Sequence, residues 1–206
     1  MSQGMPSNLI VDDPDAGIFR VNRAAMVLPE VFEAEKRLIF DKVWLYLGHE
    51  SEVPRRGDFK LRTMIGRPLI LCRGEDDKVR VFINSCPHRG AEVCQEPSGN
   101  KRVFSCPYHS WTFKNTGELI DVLAEDGYCG VLKRADFGLR EVPRSTNYRG
   151  FIFICYDPDA MPLEAYLGGA RIYLDYVADQ AGAGRMEVIR GSQLYSARAN
   201  WKLLVE

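Results

Sequence analysis

Between roughly residues 52 and 156, apolar positions alternate with polar ones over short runs, and turn-forming residues separate the runs. Phe59-Lys-Leu-Arg62 alternates, Pro68 to Cys72 is a compact apolar run, and Val79, Val81 and Ile83 alternate again. Gly74-Glu-Asp-Asp77 and Asn115-Thr-Gly117 have the composition of hairpin turns, and Gly150 to Tyr156 reads as a buried strand. This stretch predicts a small antiparallel β domain.

The period changes on either side. Residues 1 to about 25 are polar and turn-rich and predict an extended arm. Pro29 to Trp44 predicts a helix with Leu28, Phe32, Ile39 and Val43 on one face, and with Glu33, Glu35, Lys36 and Arg37 mostly outside. After Asp157-Pro-Asp159, Pro162 can open a helix whose apolar face is Leu163, Leu167, Ala170, Leu174 and Val177. Ala181-Gly-Ala-Gly184 then breaks it, and Met186 to Ser196 predicts another strand. The fold class is mainly β with flanking helices (α+β). Three segments follow: an arm and helix at 1–45, the β domain at 46–156, and the start of a further domain at 157–206.

Composition narrows the function classes. With 46% hydrophobic residues the 206-residue chain can bury a core without disulfide staples. A net charge of -1, with no run of like charge, argues against nucleic acid as a partner. The longest strongly apolar stretch, Phe151 to Cys155, cannot span a bilayer, and the N-terminus lacks a secretory pattern. The expectation is a cytoplasmic chain without a membrane partner, whose six cysteines are ligands or core residues.

The chemistry concentrates in two short segments, Asn84-Ser-Cys-Pro-His-Arg-Gly90 and Phe104-Ser-Cys-Pro-Tyr-His-Ser-Trp111. They give Cys86-x-His88, seventeen intervening residues, then Cys106-x-x-His109, using two of the three histidines in the chain. Each Cys/His pair follows a strand and precedes a turn, so two neighbouring loops can converge. Two thiolates and two imidazoles suit zinc or an iron–sulfur cluster. Zinc fingers usually bring two cysteines together and then two histidines; here each segment mixes one of each. That is the demand of a Rieske centre, where both cysteines bind one iron and both histidines the other.

The segments His88-Arg-Gly90, Cys106-x-Tyr-His-x-Trp111 and Asn200-Trp-Lys-Leu-Leu-Val-Glu206 resemble the large (α) subunit of Rieske non-haem iron aromatic-ring-hydroxylating dioxygenases, from about residue 20 to the end. The resemblance implies a [2Fe–2S] cluster with Cys86 and Cys106 on one iron and His88 and His109 on the other. It makes 46–156 the Rieske domain and 157–206 the beginning of an incomplete catalytic domain. Ser110 departs from the glycine common in the family. Respiratory Rieske proteins carry an additional cysteine in each loop; Ala91 and Tyr108 stand there instead. Trp111 and Tyr108 are expected to pack beside the loops and restrict water, with Arg89 a solvated charge. His49 is expected to be a hydrogen-bonded structural residue, and Cys72 and Cys155 core residues.

The resemblance also implies partners: a reductase fed by NAD(P)H, in some systems a ferredoxin, an aromatic substrate, and a homotrimer or α3β3 assembly. The parent enzyme reduces dioxygen at a mononuclear Fe(II) held by two histidines and a carboxylate. Once Cys86, His88, Cys106 and His109 are assigned, only His49 remains, so these residues cannot build that second site. The chain is therefore expected to be a fragment that exchanges electrons and hydroxylates nothing, with no catalytic residue of its own. A stand-alone Rieske ferredoxin is the alternative; the N-terminal helix and the residues after Tyr156 count against it.

Overall fold

The computed structural model describes residues 9–182, 184–189, 191 and 195–205. The chain divides into two compact units, Met1–Asp41 with Arg190–Glu206, and Lys42–Ile189.

In the smaller unit, β1 (Ile10–Asp13) and β2 (Ile18–Val21) form an antiparallel hairpin where an extended arm was expected. The turn is local: the Asp13 carboxylate accepts from the Ala16 amide, and Gly17 takes a left-handed φ of 63°. Two short helices follow, α1 (Ala24–Val27) and α2 (Pro29–Glu35), then a π-turn over Lys36–Phe40. The helix thus ends short of Trp44, and its inward side is Val31, Ala34 and Glu35. Phe32 and Ile39 are 37% and 38% exposed, which corrects the predicted face. Glu35 turns inward because Trp201 Nε1 and Lys202 Nζ donate to its carboxylate, a pairing from the far end of the chain.

The larger unit is mainly β: β3 (Leu45–His49), β4 (Asp58–Met64), β5 (Arg67–Arg73), β6 (Val79–Ile83), β7 (Ser98–Asn100), β8 (Val103–Ser105), β9 (Thr112–Lys114), β10 (Leu119–Asp121), β11 (Arg144–Tyr148) and β12 (Phe151–Cys155). They form three antiparallel sheets, ordered β6-β5-β4-β7, β10-β9-β8 and β11-β12-β3. The uninterrupted run in β5 has a simple cause. Ile70 and Cys72 point to one side, into a core shared with Phe104 and Phe113 of the three-stranded β10-β9-β8 sheet. Leu69 and Leu71 point to the other, against Leu47, Ile152 and Ile154. The four-stranded sheet is covered on both faces, and a strand in that position has no solvent side to keep polar.

Both predicted turns form: the Gly74 amide bonds the Lys78 carbonyl between β5 and β6, and the Lys114 amide bonds Glu118 between β9 and β10. Beyond β12, α3 (Leu163–Leu167) and α4 (Arg171–Asp179) are separated by a break at Gly168, where φ is 49°. Leu163, Leu167 and Leu174 pack on Trp44 and Phe153, whereas Ala170 and Val177 are exposed because the break turns the second helix. No strand forms over the described part of Met186–Ser196; residues 190 and 192–194 lie outside the described set. No described helix is long and apolar enough to cross a membrane.

His49 is structural. Its buried ring accepts from the Ser51 amide at 3.2 Å and lies edge-on to Phe151. Gly150, at φ 94°, is pressed so closely against His49 Nε2 that a side chain there would collide with it.

Glu52 closes the same corner, its side chain 8% exposed. It accepts from the His49 amide at 3.0 Å, Lys60 Nζ at 3.0 Å and Arg62. Burial alone would raise its pKa, but the His49 amide, Lys60 and Arg62 outweigh that and hold it below the usual carboxylate value. A carboxyl with a lowered folded pKa contributes stability above its unfolded value, about 4.3, and loses it as pH falls through the folded value. Glu52→Gln is expected to cost about 2 kcal/mol at pH 7. Urea unfolding should show that gap closing in acid; a pH-independent gap would contradict the assignment.

Candidate metal centre

Two loops with matching backbones face each other. In the first, which follows β6, the Cys86 amide donates to Ala91 O and the Gly90 amide to Cys86 O, both at 2.8 Å. In the second, between β8 and β9, the Cys106 amide donates to Trp111 O at 2.8 Å and the Ser110 amide to Cys106 O at 2.9 Å. Each loop opens Cys-Pro, the proline fixing φ and supplying no donor. The fifth residue of each is left-handed: Gly90 at φ 76° and Ser110 at φ 57°. The histidine stands third in one loop and fourth in the other.

The loops bring the two predicted histidines against each other and the two predicted cysteines into one buried cluster. Cys106 is close enough to Cys86 to help raise its thiol pKa. The His88 and His109 rings lie 4.7 Å apart between centroids, inclined at 62°. Among the described residues no three His, Cys, Asp or Glu side chains converge on one ion. The donors form two pairs instead, thiol with thiol and imidazole with imidazole.

Burial pushes the Cys86 thiol up to about 11, while the nearby His88 and Arg89 amides pull the other way and favour the thiolate. Such a thiol keeps its proton at neutral pH unless a metal displaces it. Burial first, then His109 and Arg89, hold His88 below the ordinary imidazole value, so it is neutral. Its Nδ1 is buried without a hydrogen-bond partner. A neutral imidazole with a buried, unused ring nitrogen beside paired thiols is a donor set that fits a cluster taking two sulfurs and two nitrogens.

Other side chains set the loops. Asn84 is 1% exposed; its Oδ1 accepts from the Val93 and Cys94 amides at 3.0 Å, and its Nδ2 donates to Cys94 O at 2.7 Å. It clamps the first loop from behind. Its place two residues before Cys86 is visible in the sequence, but its partners are not. Trp111 is buried and lies flat on His88, with centroids 4.8 Å apart and planes 6° from parallel. Tyr108 departs from expectation: it is 60% exposed and tilted over His109 at 3.9 Å, so it does not wall off water. Arg89 is exposed. Cys72 and Cys155 are core residues; burial lifts Cys72 to about 12. Cys94 is also buried, its thiol near Glu96.

The left-handed positions give opposite predictions. A Cβ on Gly90 meets nothing closer than Ser85 Oγ at 3.8 Å, so Gly90→Ala should cost only its backbone strain, about 1 kcal/mol. Ser110→Gly should be neutral or stabilising. Denaturant midpoints decide, and a destabilised Ser110→Gly protein would show that the serine side chain, not φ, governs that position.

Comparison with known proteins accounts for this arrangement. Residues 43–134 match the Rieske [2Fe-2S] domain. The chain is 41% identical over 192 residues to the anthranilate 1,2-dioxygenase large subunit of Acinetobacter baylyi, covering 92% of this chain and 40% of the relative. It is 40% identical over 203 residues to the 2-halobenzoate 1,2-dioxygenase large subunit of Burkholderia cepacia, covering 97% and 43%. The structure of naphthalene 1,2-dioxygenase from Rhodococcus sp. superposes with a TM-score of 0.83 at 44% identity, covering 89% of this chain and 42% of that one. The chain thus spans about two fifths of the length of these relatives. Within that span it carries a Rieske [2Fe–2S] domain and is homologous, at about 40% identity, to the large (alpha) subunits of aromatic-ring-hydroxylating dioxygenases.

Proposed function

We propose that Cys86, His88, Cys106 and His109 hold a Rieske-type [2Fe–2S] cluster, and that the chain is the electron-transfer portion of a ring-hydroxylating dioxygenase large subunit. The observation that carries this is the pairing of donors across two matched loops: the two cysteines share one buried cluster, the two imidazoles lie 4.7 Å apart, and His88 Nδ1 is buried without a hydrogen-bond partner. When bound, such a cluster accepts and donates single electrons.

The chain's own residues do the rest. Cys86 and Cys106 give up their protons to bind, and the His88 and Arg89 amides stabilise negative charge on the Cys86 sulfur. His88 and His109 bind as neutral donors, so the site carries less negative charge than a four-cysteine one and takes up an electron more readily. Asn84 and the two prolines hold the loops in place.

In the parent enzyme such a cluster would receive electrons from NAD(P)H through a reductase, with or without a ferredoxin, and would supply them to a mononuclear Fe(II), in a trimeric assembly in the cytoplasm. The names of the relatives favour an aromatic acid as the parent substrate. Residues 1–206 alone exchange electrons without hydroxylating. The stand-alone ferredoxin reading leaves α3, α4 and the smaller unit without a role.

The test is an EPR spectrum of the dithionite-reduced protein, with iron and acid-labile sulfide assayed on the same sample. A rhombic signal of low average g-value with about two irons per chain is expected. Stoichiometric zinc without iron, after anaerobic purification, would overturn the assignment.

A further inference from the structure

The two imidazoles sit in unlike surroundings. His109 is overlain by Tyr108, which is largely exposed. His88 is backed by Trp111, and Trp111 is itself fixed. The ring edges of Tyr128 and Phe137 abut the indole, with centroids at 6.2 and 5.6 Å and planes at 68° and 88°. Those two rings come from the crossover between β10 and β11. It consists of two short 3-10 turns, Glu125–Tyr128 and Arg134–Phe137. Arg134 ties the crossover together, pairing with Glu125 and donating to the Ile120 carbonyl.

We infer that Trp111 is the positioning residue for His88: its buried indole, held by the 122–139 crossover, fixes the imidazole plane and keeps water from that face of the centre. This rests on the proposed ligation by His88. The physical grounds are two. An imidazole can swing about χ2 unless a flat partner stops it, and a parallel indole stops it over the whole ring. A bound cluster with two thiolates and two neutral imidazoles also gains net negative charge on reduction. A water-free wall beside it disfavours the reduced form, and opening that wall favours it.

The experiment compares Trp111→Phe with Trp111→Leu in the cluster-loaded chain, reading nitrogen hyperfine couplings by pulsed EPR and the midpoint potential by redox titration. Wild type should show two strongly coupled nitrogens with sharp, distinct couplings. Trp111→Phe keeps a flat ring and should resemble wild type. Trp111→Leu should broaden one coupling, leave the other unchanged, and raise the reduced-to-oxidised ratio at fixed potential roughly threefold, about 28 mV for one electron. If Trp111→Leu loads no cluster while Trp111→Phe loads fully, the flat ring is what matters, and the inference stands. Unchanged couplings and potential in Trp111→Leu, or equal loss of the cluster in both variants, would overturn it. Absence of strongly coupled nitrogen in wild type would instead remove the ligation by His88, a different failure with a different spectrum.

Discussion

Replacing Cys106 by alanine is expected to abolish iron retention. The residue is buried in the same core as Cys86. On the proposed ligation, removing it would leave the iron on the sulfur side with one protein ligand, in a place that water does not readily enter. The other buried cysteines cannot substitute. Cys72 and Cys155 lie inside β5 and β12, and Cys94 is engaged with Glu96. Iron should fall from about two per chain to background, and the visible absorption with it. The fold should survive, since exchanging a small core thiol for a methyl costs only about 1–2 kcal/mol. Cys72→Ala is the control: equally buried, it should keep full iron content. A Cys106→Ala protein that retains iron and colour would remove Cys106 from the ligand set.

Asn84→Ala is expected to be the most damaging substitution outside the ligands. Asn84 makes three hydrogen bonds from a buried position, accepting from two amides and donating to one carbonyl. Alanine leaves all three backbone groups unpaired, and an orphaned buried polar group costs about 1–3 kcal/mol. Some will find water when the loop opens, so a loss of about 3 kcal/mol is expected. The first loop then loses the clamp that sets Cys86 and His88, and cluster loading should fall as well. Urea unfolding of the metal-free protein isolates the structural part. A loss under about 1 kcal/mol there would mean that the loop is held by its own turn and not by Asn84.

The β domain was legible because its signals are local. Alternation in β4 and β6 and the turn residues at 74–77 and 115–117 report pairings between adjacent segments. The two candidate loops were legible for the same reason, since each places its own Cys and His within a few residues. The N-terminal helix was misread for two physical reasons. The π-turn, with the Asp41 amide reaching Lys36 O, adds a residue to one turn and shifts every later position around the axis. Glu35 faces inward because of Trp201 and Lys202, more than a hundred residues away, and periodicity carries no trace of such a partner. The roles of Asn84 and Trp111 depend on how two loops stack. Tyr108 shows the reverse hazard: an aromatic beside a ligand is not for that reason buried.

The first ligand loop hangs from the four-stranded sheet and the second from the three-stranded sheet. Neither sheet alone owns a complete set of donors. A nascent chain that has formed only the first sheet can present one thiol and one imidazole, enough to snare a stray ion weakly but not to complete the site. On the proposed ligation, both sheets would have to dock before the site is complete. A cluster held by the proposed ligands would cross-link them, much as a disulfide does but removable by chelation or oxidation.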